Sequence, residues 1–214
     1  AEARGGGVFG SQVTITRSTI SNNLATGSHS RGAGISANTS ASIQQSTVAY
    51  NDAVGANATG GGVHVLQGSL NSTGSIIANN SASGGNPDLL LVGVISASHT
   101  LVGDTSGLTV SHLNALNAGI GNILNVDPLL GPLAYNGGAV FADGSRMLTH
   151  ALLPGSPAID VGDSALTGPV AYYRFEETLG ATTAKDLTGS NDGTYHGDPA
   201  LGQAGPAGPP RRSI

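Results

Sequence analysis

Short apolar runs recur along the first half of the chain and are separated by Gly, Ser, Thr and Asn. Three segments align with one another, Gly5–Asn23, Gly32–Asn51 and Gly60–Asn80, and a weaker fourth copy spans Asn86–Asp104. Each copy carries three apolar anchor positions in the same order. Three anchors per repeat predict three short strands per turn of a solenoid. A leucine-rich repeat has a similar period, but the dense Leu and Asn consensus of that repeat is absent.

The anchors fall into three columns when the copies are stacked. Their spacings are 27, 28 and 26 residues in the first column, 28, 27 and 25 in the second, and 28, 29 and 24 in the third. The columns are Val8, Ile35, Val63 and Leu89, then Ile15, Ile43, Leu70 and Ile95, then Ile20, Val48, Ile77 and Leu101. Stacking at about 4.8 Å would bury all three columns in a narrow core. We therefore predict an all-β fold, a right-handed parallel β-helix of about four turns of 24–29 residues.

Asparagine repeats with the same period, just after the third column. Asn23, Asn51 and Asn80 are separated by 28 and 29 residues. Stacked amides can hydrogen-bond as a ladder, and Asn tolerates the left-handed backbone of a sharp corner. A glycan or ion contact is the alternative interpretation of these residues, and we favour the structural ladder. The glycine clusters before each first anchor likewise predict corners, since none of them opens a helix as a phosphate loop would.

The period fails after Asp104. Apolar residues at 113, 116, 120, 123 and 124 suit a short helix or an irregular cap over the last turn. The sequence thus predicts solenoid turns over residues 1–107, a C-terminal cap over 108–168, an incomplete second module over 169–205 and a linker or truncation tail over 206–214. The chain opens directly on the first repeat, so we expect that a leader was removed or that the chain was cut from a longer one.

Composition narrows the possible partners. Only 10% of the residues are Asp, Glu, Lys or Arg, the net charge is −5, and there is no Cys. Nucleic acid is not an expected partner because readers of phosphate backbones carry clustered Lys and Arg. A disulfide framework and a thiolate metal site are unavailable. No apolar stretch reaches the length of a membrane span, so we predict that the chain does not span the membrane. We also predict a monomer.

The sequence of the repeats shows no cluster of residues suited to catalysis. Polysaccharide cleavage needs clustered carboxylates, or calcium-binding Asp with an Arg or Lys base. The acids of the repeats lie on separate turns, and they are Glu2, Asp52, Asp88 and Asp104. The histidines His29, His64 and His99 recur every 35 residues, out of phase with the turns, so we expect solvated or corner positions on different faces. We predict no catalytic residue, no cofactor and no metal, and no enzymatic activity.

Four sequence blocks after the repeats carry a family resemblance. They are residues 125–133 (NVDPLLGPL), 136–138 (NGG), 149–152 (THAL) and 155–163 (GSPAIDVGD). In this order they resemble the closing motif of the bacterial choice-of-anchor Q β-helix proteins, and the resemblance covers residues 5–163, with an insertion at 139–147. It implies a secreted or cell-surface bacterial protein held by a variable anchor, and it implies no reaction.

Two side-chain groups of this closing segment have candidate roles. Its apolar residues would form a plug, and they are Leu129, Leu130, Leu133, Leu148, Leu152, Leu153 and Ile159. Asp127, Asp160 and Asp163 could be a metal cluster, but Asp beside Pro or Gly is commonly a turn residue, which is the interpretation that we favour.

The chain changes character after Pro169. The strand-like run Val170–Glu177 and the turn-rich sequence after it resemble the opening of a laminin-G-like, concanavalin-like jelly roll. Only 45 residues follow Pro169, whereas such a sandwich needs more than about 100. The resemblance therefore implies a module that this chain does not complete.

Two functional hypotheses follow. The first is a non-catalytic structural or adhesive stalk that displays a carbohydrate- or protein-binding module, with glycans or other surface macromolecules as partners. The second is a non-catalytic portion of a β-helical polysaccharide lyase or hydrolase whose active-site turns lie outside this chain. Ice binding, suggested by Thr14 and Thr16, is less favoured because the Thr pair does not recur at 28-residue intervals.

Overall fold

A computed structural model shows a parallel β-solenoid. The structure describes residues 3–138, 140–162, 183–184 and 193–194. The chain divides into two compact units, Ala1–Leu166 and Thr167–Ile214. The first unit contains the solenoid and its cap.

Successive turns of the solenoid contribute short strands in a repeating order. The first turn contains β1 (Val8–Thr16), β2 (Thr19–Ser21) and β3 (Leu24–Thr26), and the second contains β4 (Ile35–Gln44), β5 (Thr47–Ala49) and β6 (Asp52–Val54). The third turn contains β7 (Val63–Val65), β8 (Ser69–Thr73), β9 (Ile76–Ala78) and β10 (Ser81–Ala82). The fourth contains β11 (Leu89–Leu91), β12 (Val94–Ser98) and β13 (Leu101–Val102). After the fourth turn come α1 (Val110–Ala118), β14 (Ile123–Leu124), β15 (Leu130–Ala134) and β16 (Thr149–Leu152).

The strands stack into three parallel sheets. Sheet 1 consists of β1, β4, β7, β8, β11 and β12, sheet 2 of β2, β5, β9, β13 and β14, and sheet 3 of β3, β6 and β10. The predicted all-β parallel solenoid is confirmed. The predicted number of four turns is slightly too high, because the fourth turn adds no strand to sheet 3 and the chain goes into α1 instead. Three turns are therefore complete.

The first anchor column lies in register through all four turns. Val8 pairs with Ile35, Ile35 with Val63, and Val63 with Leu89. Ile35, Val63 and Leu89 are buried in the main core, and Val8 packs against it from the first turn. The spacing of large apolar residues was enough to predict this column.

The second column differs from the prediction between turns two and three. Ile15 pairs with Ile43, but Ile43 pairs with Ser72, and Leu70 pairs with Ala41. The pairing is shifted by two residues. Because side chains alternate between the two faces of a strand, Ala41 and Ile43 on β4 and Leu70 and Ser72 on β8 still face inward. A large side chain on one turn thus lies over a small one on the next, which fills a narrow core without overlap.

The third column contains Val102 rather than Leu101 in the fourth turn. Ile20 pairs with Val48 and Val48 with Ile77, as the spacing predicts, and Ile77 pairs with Val102. Leu101 pairs with Ile76 on the opposite face of sheet 2. Leu101 is buried as predicted, but its place in the third column was wrong. Two adjacent apolar residues leave the inward one ambiguous when only spacing is considered.

Helix α1 closes the end of the core. The Thr109 hydroxyl caps it by accepting a hydrogen bond from the His112 N–H, and the Thr109 N–H donates to the ring Nδ1 of His112. Leu116 is fully buried in the main core, with Leu108 and Ala115 packed beside it. The expected short helix is thus present, and one Leu supplies the plug.

The apolar plug predicted further along the chain is mostly wrong. Of its seven residues only Leu130 is buried and Leu133 is half-buried, whereas the others are 37–46% exposed, namely Leu129, Leu148, Leu152, Leu153 and Ile159. Strands β15 and β16 form an antiparallel hairpin whose side chains contact residues of sheet 2 and the loop after it. Because Leu116 already closes the core, this segment covers part of the outer side of the solenoid.

In the second unit the structure describes two short strands, β17 (Thr183–Ala184) and β18 (Gly193–Thr194), which pair in antiparallel fashion. The rest of the predicted jelly-roll opening and the predicted tail at 206–214 lie outside the described residues.

Candidate functional site

A buried ladder of side-chain amides runs along the corner between sheets 2 and 3. The Nδ2 of Asn23 donates to Oδ1 of Asn51 at 2.8 Å, and the Nδ2 of Asn51 donates to Oδ1 of Asn80 at 2.9 Å. The backbone N–H groups of Asn23 and Asn51 donate to the same two oxygens, at 3.1 and 3.0 Å. The three residues form the ladder that their spacing predicted. In each bond between ladder residues the donor belongs to the earlier turn and the acceptor to the later one, so the ladder has a direction.

The sharp corner itself is made by the residue before each ladder Asn. Asn22, Tyr50 and Asn79 have φ of 57°, 56° and 58°, in the left-handed region. The expectation that the ladder residues adopt this conformation was wrong. The preceding residue reverses the chain, which leaves the ladder residue to aim its amide along the stack.

Asp88 ends the ladder. Its Oδ1 accepts hydrogen bonds from the Asn80 N–H at 3.0 Å and from Asn80 Nδ2 at 2.8 Å, and its Oδ2 accepts one from the Asp104 N–H at 2.7 Å. Both side-chain oxygens of Asp88 therefore accept hydrogen bonds. An Asn at this position would place its NH₂ group, which is a donor, against the Asp104 N–H, and this explains why the residue is a carboxylate. Burial raises the pKa of Asp88 to about 6, although the three N–H donors act in the opposite direction.

The other candidate acids have local roles. The Oδ1 of Asp127 accepts the Leu129 N–H at 2.9 Å, which is the turn role expected for it. Asp160 has φ of 59° in a turn, and Asp163 lies outside the described residues. Ser81 donates its hydroxyl to Asp52 on the neighbouring turn. Within residues 3–138 and 140–162, no group of three or more His, Asp or Glu could hold a metal ion.

The three repeated histidines lie in different environments. His29 is exposed and its Nε2 lies 3.4 Å from the Asn57 Nδ2. His99 has φ of 49° at the corner between sheets 1 and 2. His64 is buried, with its Nδ1 3.2 Å from the Ser36 hydroxyl oxygen, so the expected solvated or corner position is wrong for it. A position on strand β7, rather than at a turn, accounts for its burial.

A histidine outside the repeats, His150, attaches the β15–β16 hairpin to the solenoid. The Nε2 of His150 lies 2.8 Å from the Ser21 hydroxyl, and its Nδ1 lies 2.8 Å from the Gly131 carbonyl oxygen. Since a carbonyl only accepts, Nδ1 carries a proton, and in the neutral imidazole the Ser21 hydroxyl therefore donates to Nε2. The Tyr50 ring packs 5.0 Å from the His150 ring, and its hydroxyl donates to the Leu130 carbonyl at 3.3 Å. These contacts fix the hairpin in place.

A regular array of neutral polar side chains covers the outer side of β1, β4, β8 and β12, and we call this array the polar face. Its positions alternate with the buried inward residues of the same strands. The register gives three columns, which are Gln12, Ser40, Ser69 and Val94, then Thr14, Ser42, Asn71 and Ser96, then Thr16, Gln44, Thr73 and Ser98. None of the twelve side chains is charged and none is buried.

The polar face also differs from the corners in its hydrogen bonding. Apart from Val94, each of its side chains has hydroxyl or amide groups, and none of these groups hydrogen-bonds to a residue in the described part of the chain. At the corners, by contrast, the Ser46 hydroxyl donates to the Gln44 carbonyl at 2.7 Å and the Ser75 hydroxyl to the Thr73 carbonyl at 2.9 Å. The polar face therefore keeps its hydrogen-bonding capacity for molecules outside the fold.

Neither Asp88 nor the polar face was assigned a role from the sequence. The signal for the polar face was present, because neutral polar residues fill the alternate positions beside the anchors in each copy. The signal for Asp88 was weak, because it lies outside the column of repeated Asn.

The chain matches no protein-family model, no curated protein and no solved structure. Among the described residues, no helix combines the length and the apolar character needed to cross a membrane.

Proposed function

We propose that this chain is a non-catalytic structural or adhesive part of a secreted or cell-surface bacterial protein. In this proposal the solenoid is a stalk, and the module that begins after Pro169 binds a carbohydrate or a protein. The resemblance of residues 5–163 to choice-of-anchor Q β-helix proteins supports the location, and the resemblance of the later residues to a laminin-G-like opening supports the display role.

The observation that carries the stalk role is the continuity of hydrogen bonding from turn to turn. Backbone pairing links successive turns in three sheets, and the Asn ladder adds side-chain bonds between the same turns. Each turn is bonded to the turns before and after it, so these bonds stiffen the solenoid along its axis. A support that holds a binding module away from a surface needs this property.

A glycan array probed with the full chain tests the display role. We expect binding that is lost when Tyr172 and Tyr173 are both replaced by Ala, because aromatic rings supply much of the contact in binding modules. Tyr135→Ala is the matched control, since Tyr135 is 41% exposed on the first unit. Unchanged binding of every glycan by the double variant would contradict display by this module.

The second candidate, a piece of a polysaccharide lyase or hydrolase, is tested by the same preparation. Incubation with pectin and alginate should release no unsaturated or reducing ends if the chain is non-catalytic. Release of either product by the purified chain, at a rate proportional to its concentration, would contradict the stalk proposal.

A further inference from the structure

The polar face combines three properties that limit what it can bind. It carries eleven hydroxyl- or amide-bearing side chains, it has no charge, and its side-chain hydrogen-bonding groups are unused within the described part of the chain. Buried hydroxyl groups in the turns are paired with each other in places, as in the Ser72–Thr100 contact at 3.0 Å. The polar face is thus a regular array of polar side chains whose hydrogen-bonding groups the described part of the fold does not use.

The chemistry of these groups selects an uncharged ligand. Hydroxyl and amide groups each donate and accept hydrogen bonds, so their best partner also presents both kinds of group. A carboxylate or sulfate polymer would lose hydration on contact and would find no cation on the face to compensate. A polyhydroxylated, uncharged polymer exchanges hydrogen bonds with water for equivalent ones with the protein.

The geometry selects an extended ligand. Parallel pairing repeats each column at about 4.8 Å along the solenoid axis, and alternate residues within a strand lie about 6.6 Å apart. A chain lying along the axis meets comparable side chains on four successive turns, for example Thr14, Ser42, Asn71 and Ser96. Each contact contributes only about 0.5–1.5 kcal/mol, so binding depends on several contacts made by one extended molecule.

We infer that the polar face is a binding site for neutral polysaccharide chains. This site lies on the solenoid itself, so it goes beyond the proposed display role and does not require the module after Pro169. At its edge, Val94 is 66% exposed and offers an apolar contact to the C–H groups of a sugar ring.

Affinity electrophoresis of the full chain tests the inference. The gels contain a soluble neutral polysaccharide, either galactomannan or hydroxyethyl cellulose, or an acidic one, alginate. We expect retardation by at least one neutral polymer and none by alginate. Asn71→Asp changes one central amide into a carboxylate of the same shape, and it should weaken the neutral interaction at least fivefold. Ser42→Asp together with Asn71→Asp should abolish it.

Asn114→Asp is the matched control, because Asn114 is an exposed residue of α1 outside the polar face. It makes the same charge change and should leave retardation unchanged, while circular dichroism verifies that every variant keeps its strand content. The inference is overturned if no neutral polymer retards the chain, if alginate does so equally, or if Asn71→Asp has no effect. Inhibition of ice growth without polysaccharide binding would also overturn it.

The outcome is separable from that of the display proposal. Loss of glycan binding in the Tyr172 and Tyr173 variant, with full binding in Asn71→Asp, would assign binding to the second module and overturn the inference. The reverse pattern would support the polar face and contradict display.

Discussion

Replacing Asn51 with Leu tests whether the amide ladder stabilises the solenoid. Asn51 is fully buried, and Leu has a similar volume without polar atoms. The change removes the oxygen that accepts two hydrogen bonds from Asn23 and the Nδ2 that donates to Asn80. It also removes that Nδ2 as the partner of the Ile20 and Ala49 carbonyls, at 3.0 and 3.1 Å.

The expected cost comes from the groups left without partners. A buried polar group that loses its partner costs about 1–3 kcal/mol. Asn23 and Ile20 are half-buried and can recover part of this cost from water, whereas Ala49 is fully buried and cannot. We therefore expect Asn51→Leu to lower the free energy of unfolding by about 3–4 kcal/mol, a large part of the 5–15 kcal/mol typical of a domain.

Urea unfolding followed by circular dichroism measures this change. Asn71→Leu makes the same substitution at an exposed position without side-chain hydrogen bonds, and should change the free energy of unfolding by less than about 0.5 kcal/mol. Asn23→Leu, at the open end of the ladder, should cost about 1 kcal/mol because the other rungs remain. If Asn51→Leu cost less than about 1 kcal/mol, or no more than Asn71→Leu, the ladder would not be a stabilising element.

Three further outcomes follow from the structure. Burial raises the pKa of Asp88 from its ordinary value of 3.8 to about 6, so the folded state disfavours the ionised carboxylate. The contribution of Asp88 to the free energy of unfolding should therefore fall as the pH rises from about 4 to 6, by up to about 1.4 kcal/mol per pH unit. Above that range it should stay constant. The difference in unfolding free energy between the native chain and Asp88→Asn, measured in urea from pH 3 to 8, isolates this effect, and a flat difference would contradict it. Leu116→Ala should cost about 2–5 kcal/mol by opening the capped end of the core, seen as a lower urea midpoint and faster amide exchange in the fourth turn. Gly34→Ala should cost about 1–3 kcal/mol because its Cβ would lie 2.6 Å from the Gly62 carbonyl oxygen. A Cβ at Gly131 would have the flexible Leu153 side chain as its nearest contact, at 3.3 Å, so Gly131→Ala should show a much smaller shift in thermal midpoint.

The anchor spacing alone predicted the class of the fold because each turn repeats the same chemistry. Ile35 and Val63 have no directly adjacent apolar residue that competes for the inward position. The column that they form with Val8 and Leu89 is in register. Leu101 and Val102 are both apolar, so spacing could not decide between them. Only the pairing with Ile77 identifies Val102 as the inward residue.

Contacts between distant segments could not be predicted from local patterns. Ser21 and His150 are 129 residues apart, and nothing in either local sequence indicates that they meet. Asp88 joins the ladder from a neighbouring segment, only eight residues after Asn80, so a search at 28-residue intervals does not find it. Leu116 was recognised as part of a helical pattern, but its role as the plug depends on how α1 closes over the fourth turn.

The two-residue shift between the second and third turns restricts how such a solenoid can grow. Large and small inward residues alternate across this junction, with Leu70 over Ala41 and Ile43 over Ser72. Copying the second turn in place would set Ile43 against Ile43, as Ile15 already lies against Ile43, but it would also set Ala41 against Ala41, leaving a void where Leu70 now packs. The turns share a length but are not interchangeable parts. Lengthening by duplication would thus require compensating substitutions on both sides of the new junction.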